Sequence, residues 1–331
     1  MLSNHTSDPI ESQLREEALY KPYQSLNAYL KKKYGEKIYK IALDGGFTCP
    51  NRDGTCGTRG CIFCSAGGSG EFATAIRQNS SIDAQITQAL ARFGNKQTGQ
   101  RFIAYFQAYT GTYAAPERLY ALYHMALSHP KIIGISIATR PDCLPAPVLD
   151  VIKQCQMEFP DKFVWIELGL QSVHEKTALY IRRGYTLSCF EEALETLQTM
   201  SVPVIVHVIL GLPGETQADM LATIDYLSHK NIFGIKLQLL HVLRGTDLAA
   251  EYERGVFSCL SKEAYIDLLC SCIDHLNPAI VLHRVTGDGP KGLLIAPTWS
   301  LQKRDVLNSL HKALKAGGHY QGKDFGNHRP L

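Results

Sequence analysis

Two spacings of apolar residues alternate along this chain. Short, nearly continuous runs of Ile, Val, Leu and Phe predict strands over residues 38–43, 101–109, 131–140, 163–172, 203–213 and 234–243, with one more strand-like run over 279–287. Longer stretches with helical spacing lie between them and predict helices over 82–93, 116–128, 146–158, 174–181, 189–200, 216–230, 261–276 and 306–316. A helix over 11–34 precedes the first strand, with Leu14, Leu19, Leu26 and Leu30 loosely on one face, and residues 1–10 read as disordered. Apolar strands separated by helices are the sign of a parallel sheet covered on both faces. Six βα units are too few for a closed eight-stranded barrel, yet right-handed crossovers can curl such a sheet. No internal repeat, low-complexity tract or linker interrupts the pattern. The reading is one α/β domain over 35–290, with an N-terminal extension over 1–34 and a C-terminal helical extension over 291–331.

Composition changes this picture little. Of the 331 residues 45% are hydrophobic and 20% charged, an ordinary balance for a soluble globular chain. The net charge of +3 neither demands nor excludes a nucleic-acid partner, because a local basic patch matters more. No apolar run reaches the roughly 18 residues of a membrane span, and the N-terminus lacks a basic-then-apolar signal. With no such signal, ten cysteines point to the cytoplasm, where thiols serve as ligands rather than disulfides. Cys143, Cys155, Cys189, Cys259, Cys270 and Cys272 have no ligand spacing and read as small apolar fillers.

The remaining four cysteines fall in one loop after the first strand, LDGGFTCPNRDGTCGTRGCIFCSAGGSGEF. Cys49, Cys61 and Cys64 form C-x11-C-x2-C, a set able to hold an iron–sulfur cluster through thiolates. Three ligands on a four-iron cube leave one iron open, and an open position marks a reactive site. Cys56 offers C-x4-C-x2-C as an alternative ligand set, and a structural zinc site is a second alternative. Cys49 is favoured over Cys56 because it sits where strand becomes loop. Gly, Asn, Asp and Thr between the cysteines supply the turns that a loop wrapped round a metal centre needs.

GFTCPNRDGTCGTRGCIFC resembles the cluster loop of radical S-adenosylmethionine (SAM) enzymes, in the subgroup similar to Elongator-subunit-3-like proteins. The likeness continues through IATRPD, ELGLQS, IRRGY and HVILGLPGE, and CPNRDG with HRVTGDGP resembles a bacterial set within that subgroup. The resemblance implies a partial (β/α)6 barrel, open on one side, with a [4Fe–4S] cluster on Cys49, Cys61 and Cys64 and SAM at its open iron. It places Gln107, Ala108 and Thr110 where the family has a glycine-rich turn for the SAM amine, although the usual glycines are absent here. Gln171 falls at a family SAM contact, and Arg183 at the arginine that pairs with the SAM carboxylate. His207 stands where relatives often have an acidic ribose ligand, and Leu210 and Gly211 match the backbone beside adenine. A buried His207 bonded within the core is the competing reading. Arg140 ends the third strand and joins the same cofactor set. All of these sit at carboxyl ends of strands, where parallel α/β barrels carry their chemistry. GLPGE lacks the Lys-Ser/Thr of a phosphate loop and is not read as one.

The reaction implied by the resemblance is reductive cleavage of SAM to methionine and a 5′-deoxyadenosyl radical, which removes a hydrogen atom from a substrate. An electron donor such as flavodoxin or ferredoxin is implied with it. Relatives in this subgroup modify the tRNA wobble uridine, so its side chain ranks first as substrate. Lys31 to Lys33, Arg92, Lys96, Arg101, Lys303, Arg304, Lys312 and Lys315 are candidate phosphate contacts, and Tyr20, Tyr23, Tyr109 and Tyr113 candidate stacking groups. A solvated basic surface explains the same residues. The acetyltransferase domain of Elongator-type relatives is not expected, since the chain stops too early for one. Two alternatives stand beside this reading: a radical enzyme on a small molecule or peptide, and a metal-stabilised RNA-binding protein without catalysis.

Overall fold

The computed structural model describes residues 22–68, 70, 81–93, 99–287 and 289–326. The expected disorder over 1–10 and the first part of the 11–34 helix lie outside them. Nine strands are present among the described residues: β1 Tyr39–Leu43, β2 Phe102–Phe106, β3 Ile132–Thr139, β4 Phe163–Gln171, β5 Val204–Leu210, β6 Gly234–Leu239, β7 Val242–Leu243, β8 Val281–Arg284 and β9 Leu294–Ala296. Seven form one parallel sheet in the order β1-β2-β3-β4-β5-β6-β8. Among the described residues its two end strands do not pair with each other, so the sheet is a curled half-barrel. The apolar run over 234–243 breaks after Leu239, and its last residues pair antiparallel with β9 as a separate two-stranded piece.

The helices are α1 Leu26–Tyr34, α2 Ile82–Ala91, α3 Pro116–Ser128, α4 Ala146–Glu158, α5 Glu175–Tyr180, α6 Leu187–Thr199, α7 Gln217–Ser228, α8 Asp247–Glu253, α9 Lys262–His275 and α10 Lys303–Gly317. Side chains of Ser25, Ser81, Thr186, Thr246 and Ser261 accept an N–H from the first turn of the helix each precedes. Thr216 and Asp219 close a reciprocal capping box on α7. Neither α8 nor β9 was expected. Each is short, and sequence periodicity is weakest over a few residues.

Strand side chains sort into two faces. The outer face, including Ile135, Ile137, Leu168, Val206 and Leu237, packs against helix residues such as Phe190, Leu194 and Leu227. Each buried side chain of this size stabilises the fold by about 1.5–3 kcal/mol. The inner face is layered by the two-residue strand period. Its lowest layer is apolar: Ile103, Ile133, Trp165 and Ile205, closed from below by Leu30 of α1. α1 therefore stoppers the amino-terminal end of the half-barrel. The layer above is polar and holds Lys40, Tyr105, Ser136, Glu167, His207 and Lys236. Just before α1, the Gln24 carbonyl accepts from Leu282 N–H of β8 at 2.8 Å, and Ser25 bridges the same strand.

Candidate active site at the carboxyl ends of the strands

β1 runs directly into the cysteine loop. CPNRDG folds it: Arg52 N–H closes a turn on Cys49 O at 2.8 Å, and the Arg52 guanidinium donates to Cys64 O at 2.7 Å and Ser65 O at 2.6 Å. Buried Asn51 donates to Arg182 O at 2.6 Å and approaches Cys61 Sγ at 3.6 Å, tying the loop to the segment after α5. Gly68 has φ +59°, and a Cβ there would lie 2.3 Å from the Tyr109 ring, so only glycine admits this closure. Tyr109 itself donates from its hydroxyl to Ala66 O at 2.5 Å.

Cys49, Cys61 and Cys64 share the wall of one cavity of about 250 Å³, which continues down into the half-barrel. Cys56 is exposed and lines a different hollow, with Gly57, Arg59 and Leu179. Burial and the nearby Cys64 sulfur push the Cys61 thiol up to about 12, with Cys49 adding to the effect. Three sulfurs thus face a common space. Such a set is stabilised as thiolates by cations. Among the described residues no three His, Cys, Asp or Glu side chains gather about a point that would hold a single metal ion. In an iron–sulfur cube each thiolate binds its own iron, so the ligands need not meet at one point.

Beside the thiols, the wall carries Gln107, Thr110, Arg140, Gln171 and His207. Gln171 has φ +68° at the end of β4, an uncommon conformation for a residue with a side chain. Arg140 grips Asp142 through two contacts of 2.9 and 2.6 Å and donates to Arg183 O at 2.9 Å, while its plane covers the Tyr185 ring at 4.8 Å. Four residues expected at the site lie behind the wall and do not line it. Leu210 is buried in the outer core and Ala108 packs beneath the loop at Gly70. Gly211 turns with φ +88° beside Met220. Arg183 is buried, with its guanidinium directed at Leu170 O, Ser172 O, Tyr185 O and Glu175. In this arrangement Arg183 braces the turn after β4 from behind.

The floor of the cavity is the charged layer. Glu167 has no exposed surface. Its Oε1 accepts from Lys40 Nζ and Ser136 Oγ, each at 2.5 Å, and its Oε2 accepts from Lys236 Nζ and from His207 at 2.6 Å. Gln238 donates to His207 Nδ1 at 3.2 Å, so His207 is the Nε2–H tautomer. Burial, reinforced by Lys236, lowers His207 to about 4 and keeps the ring neutral. Burial alone would raise the Glu167 carboxyl, but Lys236 and Lys40 hold it well below the usual range. Burial also brings Lys236 down to about 7, with Lys40 and Arg284 opposing Glu167. Tyr105 accepts from Lys236 at 3.0 Å.

The pattern of the Radical SAM superfamily matches residues 54–227, and that of the Radical SAM C-terminal domain matches residues 232–316. The chain belongs to the radical SAM superfamily. YtqA of Bacillus subtilis (strain 168) is 42% identical over 305 residues, covering 92% of this chain and 93% of that protein. YhcC of Escherichia coli (strain K12) is 36% identical over 297 residues, covering 90% and 93%. Elongator complex protein 3 of Danio rerio is 28% identical over 172 residues, covering half of this chain and 30% of its own length. In structure, an N-terminally shortened Elp3 of the archaeon Methanocaldococcus infernus aligns with a TM-score of 0.63 at 14% identity, over 86% of this chain and 64% of that one. This likeness bears on the fold. Radical SAM proteins use a [4Fe–4S] cluster and SAM, and the three thiols on one cavity wall, with polar strand ends beside them, fit both.

The radical SAM cavity thus brings together Cys49, Cys61, Cys64, Gln107, Thr110, Arg140, Gln171 and His207. Sequence reasoning missed Asn51, Arg52, Lys40, Glu167 and Lys236. A charge in the middle of an otherwise apolar strand is the signal that marks the last three, because such a group is rarely buried unpaired. Of the candidate RNA contacts, Tyr20 and Lys96 lie outside the described residues. Tyr23 is a core residue and cannot stack on a base, and Arg101 is paired with Glu36.

Proposed function

We propose that this radical SAM protein acts on the side chain of a tRNA wobble uridine, drawing its electron from a flavodoxin- or ferredoxin-type donor. One observation carries the enzymatic part: a single cavity joins three thiols at its mouth to a buried, hydrogen-bonded charge network at its floor. A scaffold that merely bound RNA has no use for such a depth of paired polar groups, which cost desolvation to bury. When bound, the cluster and SAM supply the radical that removes a hydrogen atom from the substrate. Cys49, Cys61 and Cys64 hold the cluster, with Asn51 and Arg52 fixing the loop between them. Gln107, Thr110, Arg140 and Gln171 stand where they can orient SAM, and His207 offers a neutral ring held in one tautomer. Arg183 positions the Gln171 turn.

The RNA part rests on the likeness to Elongator complex protein 3 over half of the chain and on exposed basic residues. Lys31 to Lys33 on α1, and Lys303, Arg304, Lys312 and Lys315 on α10, are exposed and of the type that tracks a phosphate backbone. The test has two stages. Anaerobic reduction of the reconstituted protein with SAM is expected to release 5′-deoxyadenosine, and no release ends the enzymatic reading. Nucleoside profiling of tRNA from a deletion strain is expected to show one uridine derivative lost and its precursor gained. An unchanged profile moves the substrate to a small molecule or peptide.

A further inference from the structure

The cavity below the thiols does not end at Glu167. It adjoins a side chamber of about 280 Å³ at the seam between the edge strands β1 and β8, and both spaces have Tyr105, Gln107, Lys236 and Arg284 as walls. The chamber is otherwise walled by Leu26, Lys40, Ala42 and His283. Lys40, Lys236 and Arg284 carry basic side chains, and among the described residues no chamber wall is acidic. Glu167 meets both lysines, yet one carboxylate balances only one of them. His283 packs edge-on to Trp165 and Phe233, with ring centroids at 5.5 Å, and neither its Nδ1 nor its Nε2 has a hydrogen-bond partner. Buried polar atoms are nearly always satisfied, so an unsatisfied imidazole on a chamber wall marks a place for a ligand atom. The cations also repel one another. Burial first, and then neighbouring positive charge, lowers both Lys40 and Lys236 against the pull of Glu167.

We propose that the substrate carries an anionic oxygen group, a carboxylate or a phosphate, which seats in the side chamber against Lys40, Lys236 and Arg284. The neutral His283 ring donates to it from one nitrogen. Anchored there, the rest of the substrate extends past Tyr105 and Gln107 toward the thiol end of the same cavity, where the hydrogen is removed. This rests on the cavity being the site of radical chemistry, and it does not need the substrate to be RNA.

Thermal unfolding of the full chain, followed in chloride, acetate and inorganic phosphate at matched ionic strength, tests the proposal. A ligand that binds only the folded state raises the midpoint. The wild type is expected to unfold later in acetate or phosphate than in chloride. That rise shrinks in Lys236→Met, where Glu167 cancels Lys40 and only the Arg284 charge is left to the seat. It recovers in Lys236→Met with Glu167→Gln, where the excess of positive charge is restored. A larger rise in acetate identifies a carboxylate, and a larger rise in phosphate identifies a phosphate. General salt effects act on all three proteins alike, so an equal rise in all three, or none in any, overturns the proposal. Loss in the single variant without return in the double shows a packing effect and overturns it as well. If Lys236→Met fails to fold, Lys40→Met makes the same comparison with Glu167 left to Lys236. No RNA is present in this experiment, so its failure leaves the tRNA reading to the nucleoside profile.

Discussion

Lys40 and Glu167, 127 residues apart in sequence, meet at 2.5 Å inside the half-barrel. With Lys236 on the other carboxylate oxygen, they form an ion triad roofed by the thiol-lined cavity and floored by the apolar layer above α1. Removing one member of a buried ion pair leaves uncompensated charge and costs about 3–5 kcal/mol. Glu167→Ala is therefore expected to lower the unfolding free energy by that amount in denaturant titrations, and Glu167→Gln by less, since it still accepts hydrogen bonds. A loss below about 1 kcal/mol, the level of an exposed pair, would show that water reaches the triad.

His207 gives the fold a pH dependence of definite sign. Its folded value of about 4 lies below the ordinary 6.5, so between these values the unfolded chain binds the extra proton. Stability contributed at this site is complete above pH 6.5 and declines as pH falls toward 4. At about 1.4 kcal/mol per pH unit the loss is on the order of 3 kcal/mol. Denaturant midpoints of wild type and His207→Asn should converge on acidification through this window. Parallel curves would mean that His207 titrates normally.

The cysteine assignment is open to direct chemistry. Cys61→Ala is expected to abolish iron binding, while Cys56→Ala leaves it largely intact, because Cys56 is exposed and lines a different hollow. Iron content and the absorbance of the reconstituted proteins decide this. Equal loss in both variants would put Cys56 in the ligand set.

Leu30 ties α1 to the lowest inner layer and is 1% exposed. Leu30→Ala should cost about 2–5 kcal/mol, as other large-to-small core changes do. The neighbouring Lys31→Ala, on the exposed side, should stay within about 0.5 kcal/mol. Chemical denaturation of the two variants side by side would expose any error in the way α1 is seated.

The parallel sheet was legible because its strands read as apolar runs that few other structures produce. Ile132–Thr139 and Val204–Leu210 need burial on both faces, and both fall inside the expected runs. The thiol set was legible from spacing, and the wall places Cys49 rather than Cys56 beside Cys61 and Cys64. The charged layer was not legible as a unit. Lys40, Glu167 and Lys236 each sit singly in an apolar strand, and their pairing depends on curling of the sheet, which local periodicity does not encode. The surroundings of Arg183 were not legible for a related reason. Its motif position points to a ligand, whereas its guanidinium is directed at three backbone carbonyls and Glu175. Asn51 and Arg52 were present in the loop sequence, but which carbonyls they reach follows from how the loop closes.

The backbone of Gln24 and Ser25 along β8 has a consequence beyond the site. A bare strand at the margin of a sheet is a template on which another copy can add its own strand. Here the chain covers part of that margin with its own N-terminal segment before the stoppering helix begins. The same few residues that lead into α1 thus occupy part of the β8 margin, and trimming them would leave that backbone open to pairing.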